Sequence, residues 1–199
     1  LWPAAVLLFT GCATTPLPPA PADPEAVWQE RQTELRSLER WRLNGRIALR
    51  SEERGWQAGI AWRQAGAEYA IRLTGPMGQG TLHLRGDGER LVVTTGDGES
   101  RIDGDAETLL YQELGMHVPI SALRYWVIGL PAPELPATIE LDDYGRLASL
   151  RQAEWRVTFP AYRPTGERQL PQKVFVTNHQ ASVRLVIDRW QPGSIDADL

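Results

Sequence analysis

From Trp41 the chain alternates. Trp41, Leu43, Gly45, Ile47 and Leu49 stand against Arg42, Asn44, Arg46, Ala48 and Arg50, and that period of two predicts a strand with one apolar face. The same phase returns in Trp56, Ala58, Ile60 and Trp62, in Tyr69, Ile71 and Leu73, and in Leu82 and Leu84. Gly86-Asp87-Gly88 and Gly96-Asp97-Gly98 read as hairpin turns on either side of Leu91-Val92-Val93. Later runs continue the pattern: Thr138 to Leu141, Arg146 to Gln152, Trp155 to Phe159, Pro171 to Thr177 and Ser182 to Trp190, with turns at Asp142-Asp143-Tyr144-Gly145 and Asn178-His179. The expectation is an antiparallel meander of about ten strands.

Three segments have the helical period instead. Asp23-Pro24-Glu25 supplies a cap, a first helical position and a first-turn acid for a helix reaching about Arg40, with a narrow stripe of Trp28, Leu35 and Leu38. Asp105 can cap a second carrying Ala106, Leu109, Leu110 and Leu114 and stopped at Gly115. Pro119 opens a third with Leu123, Trp126, Val127 and Leu130 on one face, ending near Gly129. A sheet apolar on one face, with so few helices to cover it, predicts a mainly β fold in which a strongly curved antiparallel sheet is closed on its open side by helices. Such a shape can enclose a cavity.

The N-terminus adds an address. Leu1-Trp2-Pro3-Ala4-Ala5-Val6-Leu7-Leu8-Phe9-Thr10-Gly11-Cys12 is an apolar run too short to span a bilayer, closing on small residues and a cysteine. Phe9 to Cys12 resembles the bacterial lipobox, whose cysteine becomes an acylated N-terminus, with Phe9 in place of the usual leucine. The basic stretch that opens such a signal is missing, so the sequence is expected to begin downstream of the natural start. Acyl chains on Cys12, gaining about 0.8 kcal/mol per buried methylene, would anchor the protein to a membrane. Ala13 rather than aspartate after the cysteine favours the outer membrane of a Gram-negative cell. The domain plan is a signal over 1–11, a lipidated cysteine and proline-rich tether over 12–24, one folded domain over 25–191 and a tail over 192–199. The tether, with prolines at 16, 18, 19, 21 and 24, would extend by about 3.1 Å per residue.

Composition mostly excludes. A chain of 199 residues with net charge −4 and a single lysine, Lys173, lacks the clustered cations that nucleic acid requires. Cys12 is the only cysteine, so neither a disulfide framework nor a thiolate metal site can form. His83, His117 and His179 have no metal-ligand spacing, and no nucleophile elbow, phosphate loop or dinucleotide fingerprint occurs. His83 falls on the polar phase of its strand, and Asp142-Asp143 and Glu52-Glu53 lie in turn-like stretches, so solvated histidine and hairpin chemistry are the simpler readings. Neither catalysis nor a cofactor is expected.

Tryptophan stands out, with eight in the chain. Aromatic residues at sheet spacing are ordinarily core, yet a sheet so rich in them and so thinly covered can also leave room for an apolar ligand. The second unusual feature is Thr74-Gly75-Pro76-Met77-Gly78-Gln79-Gly80. Pro76, Met77 and Gly78 suit the second, third and fourth positions of a type I turn, which would set an apolar side chain at a hairpin tip.

Taken in order, the lipobox cysteine, the proline tether, Trp28, the strand from Trp41 to Arg50, Ala61-Trp62-Arg63-Gln64, Gly75-Pro76-Met77-Gly78, the run Val118 to Pro131, Trp155-Arg156-Val157 and Val186-Ile187-Asp188-Arg189-Trp190 resemble the LolB family of outer-membrane lipoprotein receptors. The resemblance implies a half-open β-barrel with a helical lid over a hydrophobic cavity. It also implies a monomer that accepts acylated lipoproteins from the periplasmic carrier LolA and releases them into the inner leaflet of the outer membrane without nucleotide hydrolysis. Carried over by position, Trp28, Trp62, Trp126, Trp155, Trp190 and Leu123 would line the acyl-chain cavity, and Met77 would be the protruding loop residue, where leucine is commoner in the family. The residues by themselves leave a second class open, an outer-membrane scaffold lipoprotein that binds a protein partner through its apolar face.

Overall fold

The computed structural model describes residues 20–51, 55–76, 80–87, 90–96, 98, 100–103, 119–133 and 135–193. Among these, α1 spans Pro24–Arg36. The Asp23 carboxylate accepts from the amides of Glu25 and Ala26 at 3.0 and 3.1 Å, and the proline costs nothing at a position whose amide has no helical partner. The helix stops four residues short of the predicted end. Strand pairing already claims Arg40, opposite Ala65, and Leu38 reaches the core from the connecting turn.

Eleven strands form one sheet. Their ranges are β1 Arg40–Ser51, β2 Gly55–Ala65, β3 Glu68–Thr74, β4 Thr81–Gly86, β5 Leu91–Thr94, β6 Ser100–Asp103, β7 Ala137–Leu141, β8 Leu147–Gln152, β9 Trp155–Thr165, β10 Arg168–Thr177 and β11 Ala181–Pro192. The spatial order is β6-β5-β4-β3-β2-β1-β11-β10-β9-β8-β7. Each half of the chain is therefore a simple meander of neighbours. The two halves meet along one seam, where β1 runs antiparallel to β11 from Trp41 opposite Pro192 to Ser51 opposite Ala181. Among the described residues the end strands β6 and β7 do not pair, so the sheet is a half-open barrel. A bulge between Asn44 and Gly45 bends the seam, and a Cβ on Gly45 would collide with the Val186 carbonyl oxygen.

Alternation decides what faces inward. Ala58, Ile60, Trp62 and Gln64 of β2 are buried, as are Tyr69, Ile71 and Leu73 of β3 and Val183, Leu185 and Ile187 of β11. One continuous core results, bordered by α1 and by the short helix α2, Ile120–Trp126. An aromatic clamp holds the C-terminal half to α1. Tyr162 lies between the guanidinium groups of Arg31 and Arg146, at 5.8 and 4.6 Å from its ring centre, and donates its hydroxyl to the Leu147 carbonyl at 2.8 Å. Burial pushes the Tyr162 hydroxyl well above its ordinary pKa and lowers that of Arg31.

The structure departs from expectation in the strand inventory. Strand β6 is four residues of mostly polar sequence, too short to show a period. Strands β9 and β10 continue beyond Phe159 and before Pro171 to a hairpin at Gly166, whose φ is +61°. Pro160 and Pro164 hide this extension from a sequence reading, since proline cannot donate to a ladder. They are tolerated because β8 pairs with β9 only up to Thr158, which leaves the outer stretch as an edge. The helix predicted from Asp105 lies outside the described residues.

Candidate functional site

The second helix is the natural centre of the site, because it caps the open side of the sheet. The Pro119 carbonyl accepts from the amides of Ala122 and Leu123, and Ile120, Ala122, Leu123 and Trp126 are buried. Its end is a Schellman turn. The Gly129 amide donates to the Trp126 carbonyl and the Leu130 amide to that of Tyr125, with Gly129 at φ +86°. That left-handed position is why the glycine terminates the helix where the sequence predicts.

One flank of this element is pinned by a single side chain. Gln152, on β8, is 1% exposed. Its Oε1 accepts from Trp126 Nε1 at 2.8 Å and from the Ala132 amide at 2.9 Å. Its Nε2 donates to the carbonyls of Ala132 at 2.6 Å and Leu135 at 2.8 Å. All four bonds tie the helix and the segment after it to the C-terminal half of the sheet.

The opposite flank is open. Arg124, Tyr125, Ile128 and Leu130 face Leu35 near the end of α1, Leu38 of the turn after it, and Trp41 and Gln64 of the sheet, across a recess of about 340 Å³. Its floor is rigid. Gln64, 3% exposed, accepts from Trp62 Nε1 at 3.0 Å and donates to the Gly66 carbonyl at 2.9 Å. Trp41 packs between Trp62 and Trp190 with ring centres 5.1 and 5.4 Å away. The Trp190 indole donates to the Pro171 carbonyl at 2.8 Å.

The structure brings the predicted cavity residues together in one core: Trp28, Trp62, Trp126, Trp155, Trp190 and Leu123 are all buried in it. The recess is lined by Trp41, which sequence reasoning did not assign to the cavity, although its phase with Leu43 marks it as inward. The two buried glutamines were missed as well. Their signal is a polar residue on an apolar phase, Gln64 after Trp62 and Gln152 after Leu150. Pro76 is exposed at the head of the β3–β4 loop, which the Gly75 amide closes by donating to the Gly80 carbonyl at 3.0 Å. Met77, Gly78 and Cys12 lie outside the described residues.

Asp142 is fully engaged in its turn, accepting from the Tyr144 and Arg146 amides and pairing with Arg146 at 2.7 Å. His83 stands opposite Arg72 and Thr94 on the outward phase. Among the described residues no group of three His, Cys, Asp or Glu side chains could hold a metal ion, and no helix is long and apolar enough to cross a membrane.

A family model described as "Outer membrane lipoprotein LolB" matches residues 39–190. The chain belongs to the LolB family. An outer-membrane lipoprotein LolB of Nitrosococcus oceani is 39% identical over 190 residues, which cover 95% of this chain and 94% of the relative. Another, of Alkalilimnicola ehrlichii, is 38% identical over 188 residues, with 94% and 92% covered. The fold itself is shared more widely. A LolA superfamily protein from Nitrosomonas europaea superposes with a TM-score of 0.53 at 8% identity, covering 88% of this chain and 96% of its own. This chain and that protein thus share a fold while their sequences are unlike.

Proposed function

We propose that this protein is an outer-membrane lipoprotein receptor, which accepts acylated lipoproteins from the periplasmic carrier LolA and passes them to the inner leaflet of the outer membrane without nucleotide hydrolysis. The observation that supports the reading is the recess beside α2, which is open to the surface and lined by Leu35, Leu38 and Trp41, the last packed against Trp62 and Trp190. Acyl chains gain about 0.8 kcal/mol per methylene on leaving water, so every step of a handover has to run from one apolar environment to another. Direction then comes from graded affinity, tighter in the receptor than in the carrier and tighter still in the bilayer.

In this reading the chains enter at the recess and spread between sheet and lid, displacing contacts made by Trp62, Trp126, Trp190 and Leu123, with Trp28 and Trp155 at the margins. Acylated Cys12 holds the protein at the membrane. The Pro76-Met77-Gly78 loop brings the mouth against the bilayer, since burying one methionine is worth roughly 1.5–3 kcal/mol, too little to anchor and enough for brief contact. The protein works as a monomer.

The test is transfer. Incubated with carrier loaded with a labelled lipoprotein, the protein should take the label, and label that stays on the carrier overturns the reading. Replacing Met77 with Glu should leave receipt intact and slow insertion into liposomes. Unimpaired insertion would remove the loop from the mechanism.

A further inference from the structure

The apolar recess contains a cation whose chemistry the packing uses only in part. Arg124 is half-buried in its wall. One terminal nitrogen donates to the Tyr125 hydroxyl at 3.0 Å, and the guanidinium lies 4.7 Å from the centre of that ring. The buried Nε has no hydrogen-bond partner. No carboxylate among the described residues is paired with Arg124, whereas Arg46, Arg146 and Arg168 are matched by Asp188, Asp142 and Glu34. Glu39 and Arg36 stand on the rim of the same recess and are exposed. The Arg124 field reaches the Tyr69 hydroxyl on the inner face of β3, where it works against the upward push of burial. Arg42 also has an unpartnered Nε, but it sits on the outward phase of β1 beside a groove that three further arginines, Arg63, Arg72 and Arg85, make more polar than apolar.

A guanidinium presents five donors in a fixed plane and cannot shed its charge, so leaving its donors unused in a partly dry place is costly. The expense is recovered when a ligand supplies oxygen acceptors, above all a carboxylate in the two-bond geometry that arginine favours. The recess is near the small end of the range of ligand sites, about 300–1,000 Å³, so it suits one chain rather than a whole acylated headpiece.

Resting on the receptor reading above, we infer that Arg124 is the polar anchor of the acyl site: its guanidinium binds the oxygen acceptors at the head of an acyl chain while the hydrocarbon runs past Leu38 and Trp41 toward the core. The acceptor is either the carboxylate of a free fatty acid or the ester and amide carbonyls of an acylated cysteine. Both offer oxygen at the end of a long apolar tail, which is what this wall matches.

Three fluorescent or competing probes separate the possibilities: a polyene fatty acid, a synthetic triacylated lipopeptide and a polyene hydrocarbon with no oxygen. In Arg124→Gln, affinity for the acid should fall about tenfold, as expected for loss of charge-assisted hydrogen bonds, with the hydrocarbon unchanged. A parallel fall for the lipopeptide assigns the anchor to cargo, and a fall for the acid alone assigns it to free fatty acid. Equal affinities in wild type and variant overturn the inference, and so does an equal loss for acid and hydrocarbon, which would mean a packing role. Should Arg124→Gln fail to fold, Arg124→Lys decides: it keeps a charge but not the planar fork, and should bind the acid several-fold more weakly than wild type while an unchanged affinity overturns the anchor. Wild-type protein that binds none of the three probes removes the receptor reading itself, a result distinct from an Arg124 variant that binds all three normally.

Discussion

The two flanks of α2 are built to opposite rules. Toward β8, Trp126, Ala132 and Leu135 are fastened by one buried glutamine that has every polar atom satisfied. Toward α1, Arg124 and Tyr125 border a gap, and donors are left over. On the receptor function proposed above, a cover fixed along one side and loose along the other opens as a hinge opens. In that mechanism the closed flank sets where the helix returns, and the loose flank sets what it admits. The short length of the helix helps, because seven residues make few contacts of their own and depend on such fastenings for their position.

The fastened flank should be the more sensitive to mutation. Gln152→Leu strands the Trp126 indole and the Ala132 amide and carbonyl in a dry site, and should lower unfolding free energy by about 3 kcal/mol, read by urea denaturation. Trp126→Phe removes one of those donors and part of the buried ring. It should cost about 2 kcal/mol by the same measurement. On the loose flank, Tyr125→Phe deletes only the acceptor for Arg124 and should change stability by less than about 1 kcal/mol. If Tyr125→Phe proved as damaging as Gln152→Leu, the contrast between the flanks would not stand.

The weakest test uses pH. Burial, helped by the nearby Asp87, raises the Tyr69 hydroxyl to about 12, with Arg124 opposing. An unfolded tyrosine releases its proton near pH 10, so this group adds stability below that pH and loses it as pH climbs toward the folded value. Stability followed by tryptophan fluorescence should therefore fall between about pH 10 and 12, and Tyr69→Phe should soften the fall. Tyr162, raised by burial in the same sense, begins to lose its contribution at the same unfolded value and adds to the fall.

Much of this architecture is legible from alternation, because wherever a strand buries one face the choice of residue is forced at every second position. Strands β1 to β3 and β11 are written that way almost without exception. The outer part of β9 is not, since Pro160 and Pro164 are compatible with an edge that only the finished sheet reveals. The site is legible by a different route. Trp62, Trp126 and Trp190 announce themselves by size, but Gln152, Gln64 and Arg124 are polar residues whose meaning depends on which backbone or void lies opposite. Nothing in their immediate neighbours encodes that. A glutamine sharing the phase of Trp62 or Leu150 is the nearest thing to a local sign, and it carries over to other half-barrels as a place to look for internal fastenings.

The seam between β1 and β11 has a consequence for how the molecule comes into being. Residues such as Arg46 and Val186 are partners across most of the polypeptide, while nearly every other strand pairs with its neighbour in sequence. As the chain emerges from its N-terminus, six strands can assemble early and must wait with β1 as a bare flank until the last hairpin arrives. Closure of that long loop is the step that topology makes slow, and the waiting flank is where a nascent copy is most at risk of joining another.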